Sequence, residues 1–233
     1  MTIDKTLNKK ETPAMFDNIA DTYDKLNHIL SFGLDKRWRK VFVKNLEHKK
    51  YKSIADVASG TGDLLVSLQK LKANKCFAID PSSTMLEIAK TKIPNAEFFV
   101  APAENLPLED NSCDLITVSF GIRNFASLEN GFSEFHRVLC KDGIISIMEF
   151  SQPRFFLFKW GFIIYLKVFL PIIGRMVSKD KSAYKYLQTS IFDFAKNINV
   201  FDELEKQNLK KLNKKNLLFG VVKIYTSKKI SKI

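Results

Sequence analysis

The chain has 233 residues, 45% of them hydrophobic, which suits one large domain with a sizeable core and excludes general disorder. Its formal net charge is +12, a balance that suits nucleic acid or an anionic membrane surface, or reflects a lysine bias with solubility as its only consequence. Cys76, Cys113, Cys140, His28, His48 and His136 show no metal-ligand spacing, and Met1 to Lys10 hold no apolar run of the signal-peptide kind, so a cytoplasmic protein with reduced thiols is expected.

Residues 1–12 read as a flexible tail, and 13–233 as a single domain. Met15, Phe16, Ile19, Ala20 and Tyr23 follow helical spacing, and Asp35 to Leu46 gives a second helix, so 13–48 forms a helical arm. The first strand ends near Val57. A second runs from Cys76 to Asp80, and Pro81-Ser82-Ser83 opens a helix carrying Met85, Leu86, Ile88 and Ala89. Glu97 to Val100 is a third strand. Leu115 to Phe120 is a fourth, almost uniformly apolar, as a strand covered on both faces should be. A helix with Leu128, Phe132, Phe135 and Leu139 leads through the turn Lys141-Asp142-Gly143 to a fifth strand, Ile144 to Phe150. Asn199 to Lys210 reads as a helix and Val221 to Thr226 as the last strand, with a final hairpin completing the sheet.

This alternation predicts an α/β fold: a doubly wound, mostly parallel sheet wrapped on both faces. Ligands of such sheets bind at the carboxyl ends of the strands. The residues there are Ser59 to Gly62, Asp80, Ala101 to Glu104, Ser119 to Asn124 and Glu149 to Ser151.

The alternation breaks at Phe155 to Val177, a strongly apolar run. Lys159 and Lys167 interrupt it, and Pro171 and Gly174 break it, which argues against a membrane span. An inserted apolar helical cap over about 153–198, or an amphipathic surface-binding element, fits better.

The stretch Asp56-Val57-Ala58-Ser59-Gly60-Thr61-Gly62-Asp63 sits where the first strand turns into a helix striped with Leu64, Leu65, Leu68 and Leu71. Glycines there let a backbone approach a ligand closely. A dinucleotide fingerprint would place a third glycine at position 65, which is Leu, and a phosphate-cradling loop would continue Gly-Lys-Ser/Thr, where this chain has Asp63. Asp56 and Asp63 make the seat mildly acidic, which suits a cationic, phosphate-free ligand such as S-adenosylmethionine. An ordinary glycine turn is the other reading of these residues. Asp80 ends the second strand, 18 residues after Gly62. A carboxylate there can accept from both ribose hydroxyls of an adenosine, or can cap the next helix with Pro81 in its first turn.

Several segments together carry a resemblance. The turn at 56–63 resembles the first motif of class I S-adenosylmethionine-dependent methyltransferases. More narrowly, the chain is similar to the C-methyltransferases of menaquinone and ubiquinone biosynthesis. The similarity rests on Met15 to Asp24, Asn27 to Trp38, Ser119 to Asn124 (SFGIRN), Glu149 to Pro153 (EFSQP) and Ser182 to Leu187 (SAYKYL), and covers roughly residues 13–227. It implies a Rossmann-like, seven-stranded sheet and S-adenosylmethionine as cofactor. It implies cofactor contacts from Asp56, Gly60, Thr61 and Gly62 in the turn, from Asp80 at the ribose, from Ala103 beside the adenine and from Ser119. This chain departs from the family at Pro102, where Asn or Asp is usual, so no polar contact to adenine is expected from that position.

The implied acceptor is a polyprenyl quinol: demethylmenaquinol, with the benzoquinol of ubiquinone synthesis as a further candidate. A phenol has a pKa near 10, so forming the phenolate costs roughly 4 kcal/mol at pH 7. Arg123 is the first candidate to offset this. Guanidinium stays protonated, which casts it as an oxyanion stabiliser or water-orienter rather than a base. Asn124 could orient the quinol hydroxyl, and Tyr23 and Tyr186 could line the site from the arm and the cap. The polyprenyl tail suggests contact with an anionic membrane surface, at the inner face of the cytoplasmic membrane. Assembly as a homodimer is left open.

Two rivals remain at this level. An RNA base methyltransferase commonly carries Asn/Asp-Pro-Pro-Tyr/Phe after the fourth strand, where this chain reads Ser119-Phe120-Gly121-Ile122, so no nucleic-acid partner is expected. A non-catalytic membrane-peripheral subunit would be expected to lose cofactor-binding residues, yet Thr61 and Asp80 are present.

Overall fold

Short apolar runs, bounded by turn residues, pair in parallel at the centre of the molecule. The computed structural model describes residues 12–153, 155–169 and 181–230. Strands β1 (Ser53–Val57), β2 (Lys75–Asp80), β3 (Glu97–Val100), β4 (Cys113–Ser119), β5 (Leu139–Phe150), β6 (Leu209–Leu217) and β7 (Val222–Lys229) form one seven-stranded sheet of order 3-2-1-4-5-7-6. The first five run parallel; β7 is antiparallel to β5, and β6 to β7. The chain order reverses between β1 and β4, which opens a crevice at their carboxyl ends.

Alternate residues of the central strands feed two cores. Ile54, Leu115, Ile144 and Met148 face one, with Leu26, Trp38 and Phe42 of the arm helices α1 (Thr12–Leu30) and α2 (Leu34–Lys44). Ala55, Val57, Ile116, Val118, Ile145 and Ile147 face the other, with Phe132 and Phe135 of α5 (Leu128–Val138). Between strands lie α3 (Asp63–Leu68) and α4 (Ser83–Lys92), so helices cover both faces of the doubly wound sheet.

The apolar segment after β5 starts as α6 (Phe156–Ile164). Phe162 and Leu166 turn into the arm-side core, and the Tyr165 hydroxyl donates to the Leu30 carbonyl, tying this segment to the arm. Its later part, 170–180, and the tail residues 1–11 lie outside the described residues. Helices α7 (Lys181–Asn197) and α8 (Val200–Lys206) lead to the final hairpin.

Two boundaries differ from the sequence reading. The helix expected over Asn199 to Lys210 stops at Lys206, and Leu209–Leu217 is an edge strand. Its KKLNKK core has no apolar alternation because all of Lys210 to Asn216 stand exposed. The Lys141-Asp142-Gly143 turn lies inside β5, where Asp142 takes φ 61° and the register against β4 slips. It is a bulge rather than the strand's start.

Phe132 is wholly enclosed between α5 and the sheet. Phe132→Ala should lower unfolding free energy by about 3–5 kcal/mol. Chemical denaturation checks this.

Candidate active site

The turn from β1 into α3 is built by hydrogen bonds that leave its ligand side open. Ser59 N–H donates to Ile79 O at 3.1 Å, and Gly62 N–H to Ser59 O at 3.0 Å. Gly60 takes φ 53°, and a Cβ there would meet no atom within 4 Å, so that side faces open space. Gly62, at φ 79°, starts α3. Ala58 and Phe120, the residues following β1 and β4, also take positive φ, 53° and 56°. For non-glycine residues this costs roughly 1–2 kcal/mol each. Gly121 lets the two turns meet: a Cβ there would lie 2.6 Å from Ala58 Cβ.

Asp80 closes the turn from the β2 side. Its Oδ2 accepts from Gly60 N–H at 2.8 Å and its Oδ1 from Ser82 N–H at 2.9 Å. A carboxylate oxygen can accept twice, so each keeps a free lone pair. The cap of α4 is Ser82, whose Oγ accepts from Met85 N–H at 3.1 Å. The capping alternative for Asp80 therefore passes to its neighbour. Burial pushes the Asp80 carboxyl up to about 6, against the two backbone hydrogen bonds.

Asp56 is buried more deeply. Its Oδ1 accepts from Thr117 Oγ1 at 2.7 Å, while Oδ2 has no partner and Ser59 Oγ nearby has none either. Burial pushes the Asp56 carboxyl up to about 7, against the Thr117 hydrogen bond and with a further push from Asp80.

Two cavity lobes meet at this turn. One, of about 300 Å³, is lined by Asp80, Pro81, Met85, Pro102, Ala103 and Phe125. The other, of about 440 Å³, is walled by Trp38, Phe120, Phe150, Phe158, Phe162 and Tyr165, and its lining also includes Asp56 and Ser59. Both share Tyr23, Ala58, Gly60, Ser119 and Phe120. Thr61 lines the larger lobe and donates to Asp24 Oδ1, which draws α1 onto the turn. Asp17 of the same helix accepts from Ser82 Oγ. Lys92 joins Asp24 and Asp63 at 2.6 and 2.7 Å, and Arg39 joins Asp35 and Asp63 at 2.5 and 3.1 Å.

Arg123 sits on the short turn Ile122–Asn124 and is buried rather than spread over the mouth. Its Nη1 donates to Glu149 Oε1 at 3.0 Å and to Phe120 O. Burial raises the Glu149 carboxyl above its ordinary range, with Arg123 opposing. Burial likewise raises the Tyr23 phenol, against a hydrogen bond with Asn27 and the charge of Arg123. Asn124 Oδ1 accepts from the Tyr186 hydroxyl at 2.9 Å, so these two candidates are bound to one another. All eleven residues singled out in sequence thus lie on or beside the two lobes, except Gly62, which serves the turn from behind. Sequence reasoning missed Asp17, Asp24, Met85 and Phe125 as site residues. Asp17 and Asp24 lay within the quoted opening segment, at helical positions facing the turn.

The sheet order, the crevice at the chain reversal and the acidic turn are those of a class I S-adenosylmethionine-dependent methyltransferase. Residues 4–229 match the ubiE/COQ5 methyltransferase family, and the chain belongs to it. A curated relative from Campylobacter jejuni, named ubiquinone/menaquinone biosynthesis C-methyltransferase UbiE, is 46% identical over 93% of this chain and 96% of its own. A demethylmenaquinone methyltransferase of Chlorobaculum tepidum is 43% identical over 82% of this chain and 80% of its own. Among solved structures, a SAM-dependent methyltransferase of Thermotoga maritima aligns with TM-score 0.61 and 19% identity, over 94% of this chain and 99% of that one. That likeness speaks for the fold alone.

S-adenosylmethionine is the methyl donor, and the lobes fit it. The orphaned oxygens of Asp56 and Ser59 offer acceptors to an ammonium, the open side of Gly60 leaves room for a close approach, and Asp80 keeps acceptor capacity for a ribose.

Asp56 has a folded-state pKa above its ordinary value, so the folded chain holds a proton that the unfolded chain releases between about pH 4 and about pH 7. Its contribution to stability is therefore present at low pH and lost as pH rises through that window; Asp80 acts in the same direction up to about 6. In thermal melts of cofactor-free protein, Asp56→Asn should gain on wild type by about 3 °C or more between pH 5 and pH 8. A pH-independent difference would contradict this.

Proposed function

We propose that this methyltransferase transfers a methyl group to a ring carbon of demethylmenaquinol. The observation that carries the reading is the larger lobe: a deep aromatic cavity that ends, beside the cofactor turn, at Arg123, Ser119 and Tyr23. Relatives that match most of the chain carry the name demethylmenaquinone methyltransferase, which supports the same acceptor. A naphthoquinol ring and the first units of its tail are apolar, and such walls favour them by roughly 25 cal/mol per Å² removed from water.

Bound S-adenosylmethionine supplies an electrophilic methyl on its sulfonium. Asp56 takes the ammonium, Gly60, Thr61 and Gly62 shape the turn around the donor, and Asp80 accepts from the ribose. Ala103 packs beside the adenine, where Pro102 leaves the contact apolar, and Ser119 faces the junction of the two lobes. The quinol gives up its hydroxyl proton to water before the site closes, and Arg123 stabilises the quinolate oxygen left behind, which makes the neighbouring ring carbon nucleophilic. Once methylated, that carbon releases its own proton to the quinone oxygen by way of water, and the ring regains its aromaticity. Asn124, braced by Tyr186, orients the second hydroxyl, and Tyr23 closes the junction against water. Labelled S-adenosylmethionine incubated with reduced naphthoquinol and benzoquinol precursors should put label mainly into the naphthoquinol. Transfer to neither acceptor by protein that binds S-adenosylhomocysteine would overturn the reading.

The described apolar residues 155–169 form part of a cap whose outer face rests on a bilayer. Phe156 is 75% exposed and Trp160 52%, and Phe219 of the β6–β7 turn, 58% exposed, stacks on Phe158 at 3.8 Å. Phe158 and Phe219 line the larger lobe, and Lys214 and Lys215 stand exposed near the same turn. Among the described residues no helix is long and apolar enough to cross a membrane, and the contact proposed is made from the surface. Protein should float with anionic vesicles at low salt, and Phe156→Ser with Trp160→Ser should remove most of that binding. Absence of flotation at low salt would refute surface association.

A further inference from the structure

Glu149 lies at the end of β5, wholly buried, behind Arg123 rather than on the wall of either lobe. An arginine–carboxylate pair that serves packing alone gains most from the bidentate fork, which satisfies both oxygens at once. This pair is held otherwise. Of the guanidinium nitrogens, Nη1 makes the contact, at 3.0 Å to Glu149 Oε1, and also donates to Phe120 O, while the Arg123 backbone N–H is a further donor to the carboxylate. Glu149 Oε1 also accepts from Phe150 N–H at 2.9 Å. Glu149 Oε2 and Arg123 Nε are left buried without partners, which a structural pair would avoid.

The backbone around the pair points the same way. Phe120 adopts φ 56°, an unfavourable conformation for a bulky residue, and its carbonyl meets Arg123. The Phe120 and Phe150 rings pack with centroids 4.6 Å apart and both line the larger lobe. The guanidinium lies 5.8 Å from the Phe150 ring centroid. Strain, an incomplete pair and an aromatic ledge all converge on where one guanidinium sits.

We infer that Glu149 is a positioning residue: it holds the Arg123 guanidinium by a single nitrogen, so that the rest of the guanidinium is presented to the methyl acceptor. This rests on the reading of Arg123 as the group that stabilises the quinolate.

Glu149→Gln keeps the size and the Oε1 acceptor and removes the charge. It should bind S-adenosylhomocysteine with wild-type affinity in calorimetry and keep the KM for naphthoquinol, while kcat falls about 10- to 100-fold. Arg123→Ala and the double variant Arg123→Ala/Glu149→Gln should then have equal kcat, because Glu149 acts only through Arg123. Should the Gln variant fail to bind S-adenosylhomocysteine, Glu149→Asp, which retracts the charge by one methylene, should show the same kcat loss at unchanged cofactor affinity. Full kcat in a cofactor-binding Gln or Asp variant, or a further loss on the Arg123→Ala background, would overturn the inference and leave the quinol reading standing. Wild-type protein that methylates neither quinol would overturn both.

Discussion

Carboxylates buried at strand ends set the terms for this molecule. Asp56, Asp80 and Glu149 lie at or near the carboxyl ends of β1, β2 and β5, each less than a tenth exposed. Removing a carboxylate from water costs several kcal/mol unless charge or hydrogen bonds replace the lost solvent. Each is compensated differently: Asp80 by two backbone N–H groups, Asp56 by one hydroxyl, Glu149 by a guanidinium together with the Phe150 N–H. The compensation is least complete at Asp56, and that is where a cationic ligand gains most.

The arm serves the same edge from above. Arm residues Leu26, Leu30, Trp38 and Phe42 belong to the core, so the arm is anchored by apolar contact. The bridges through Lys92 and Arg39 are partly exposed, and pairs of that kind contribute about 0–1 kcal/mol each. Their value is registration. The Lys92–Asp24 bridge fixes which turn of α1 stands over the glycine turn, and so where Tyr23 and Asp24 meet the junction between lobes, while Arg39 ties α2 to the start of α3. High salt would weaken this registration while leaving the anchor untouched.

The alternation of apolar strands and striped helices was legible because burial on both faces leaves a continuous apolar signature, as in Leu115 to Ser119. The edge strand β6 was not, because an exposed edge carries lysines in place of that signature. Asp80 and the turn at 56–63 could be read from local spacing. The pairing of Arg123 with Glu149 could not, since 26 residues of chain separate them and only the parallel β4–β5 register brings them together. The same holds for Asp24 and Thr61, joined across 37 residues by the fold of the arm. The resemblance pointed to the right segments without showing which side chains in them touch.

The lysines of β6 have a consequence for assembly. Lys210, Lys211, Lys214 and Lys215 all stand exposed along the free edge of the sheet. Two copies joined there would set like charges opposite one another at strand spacing, a repulsion that unpaired N–H and C=O groups would have to overcome. The β6 edge is thus guarded against lengthening by a second copy, which leaves β3 as the edge without such a lysine row.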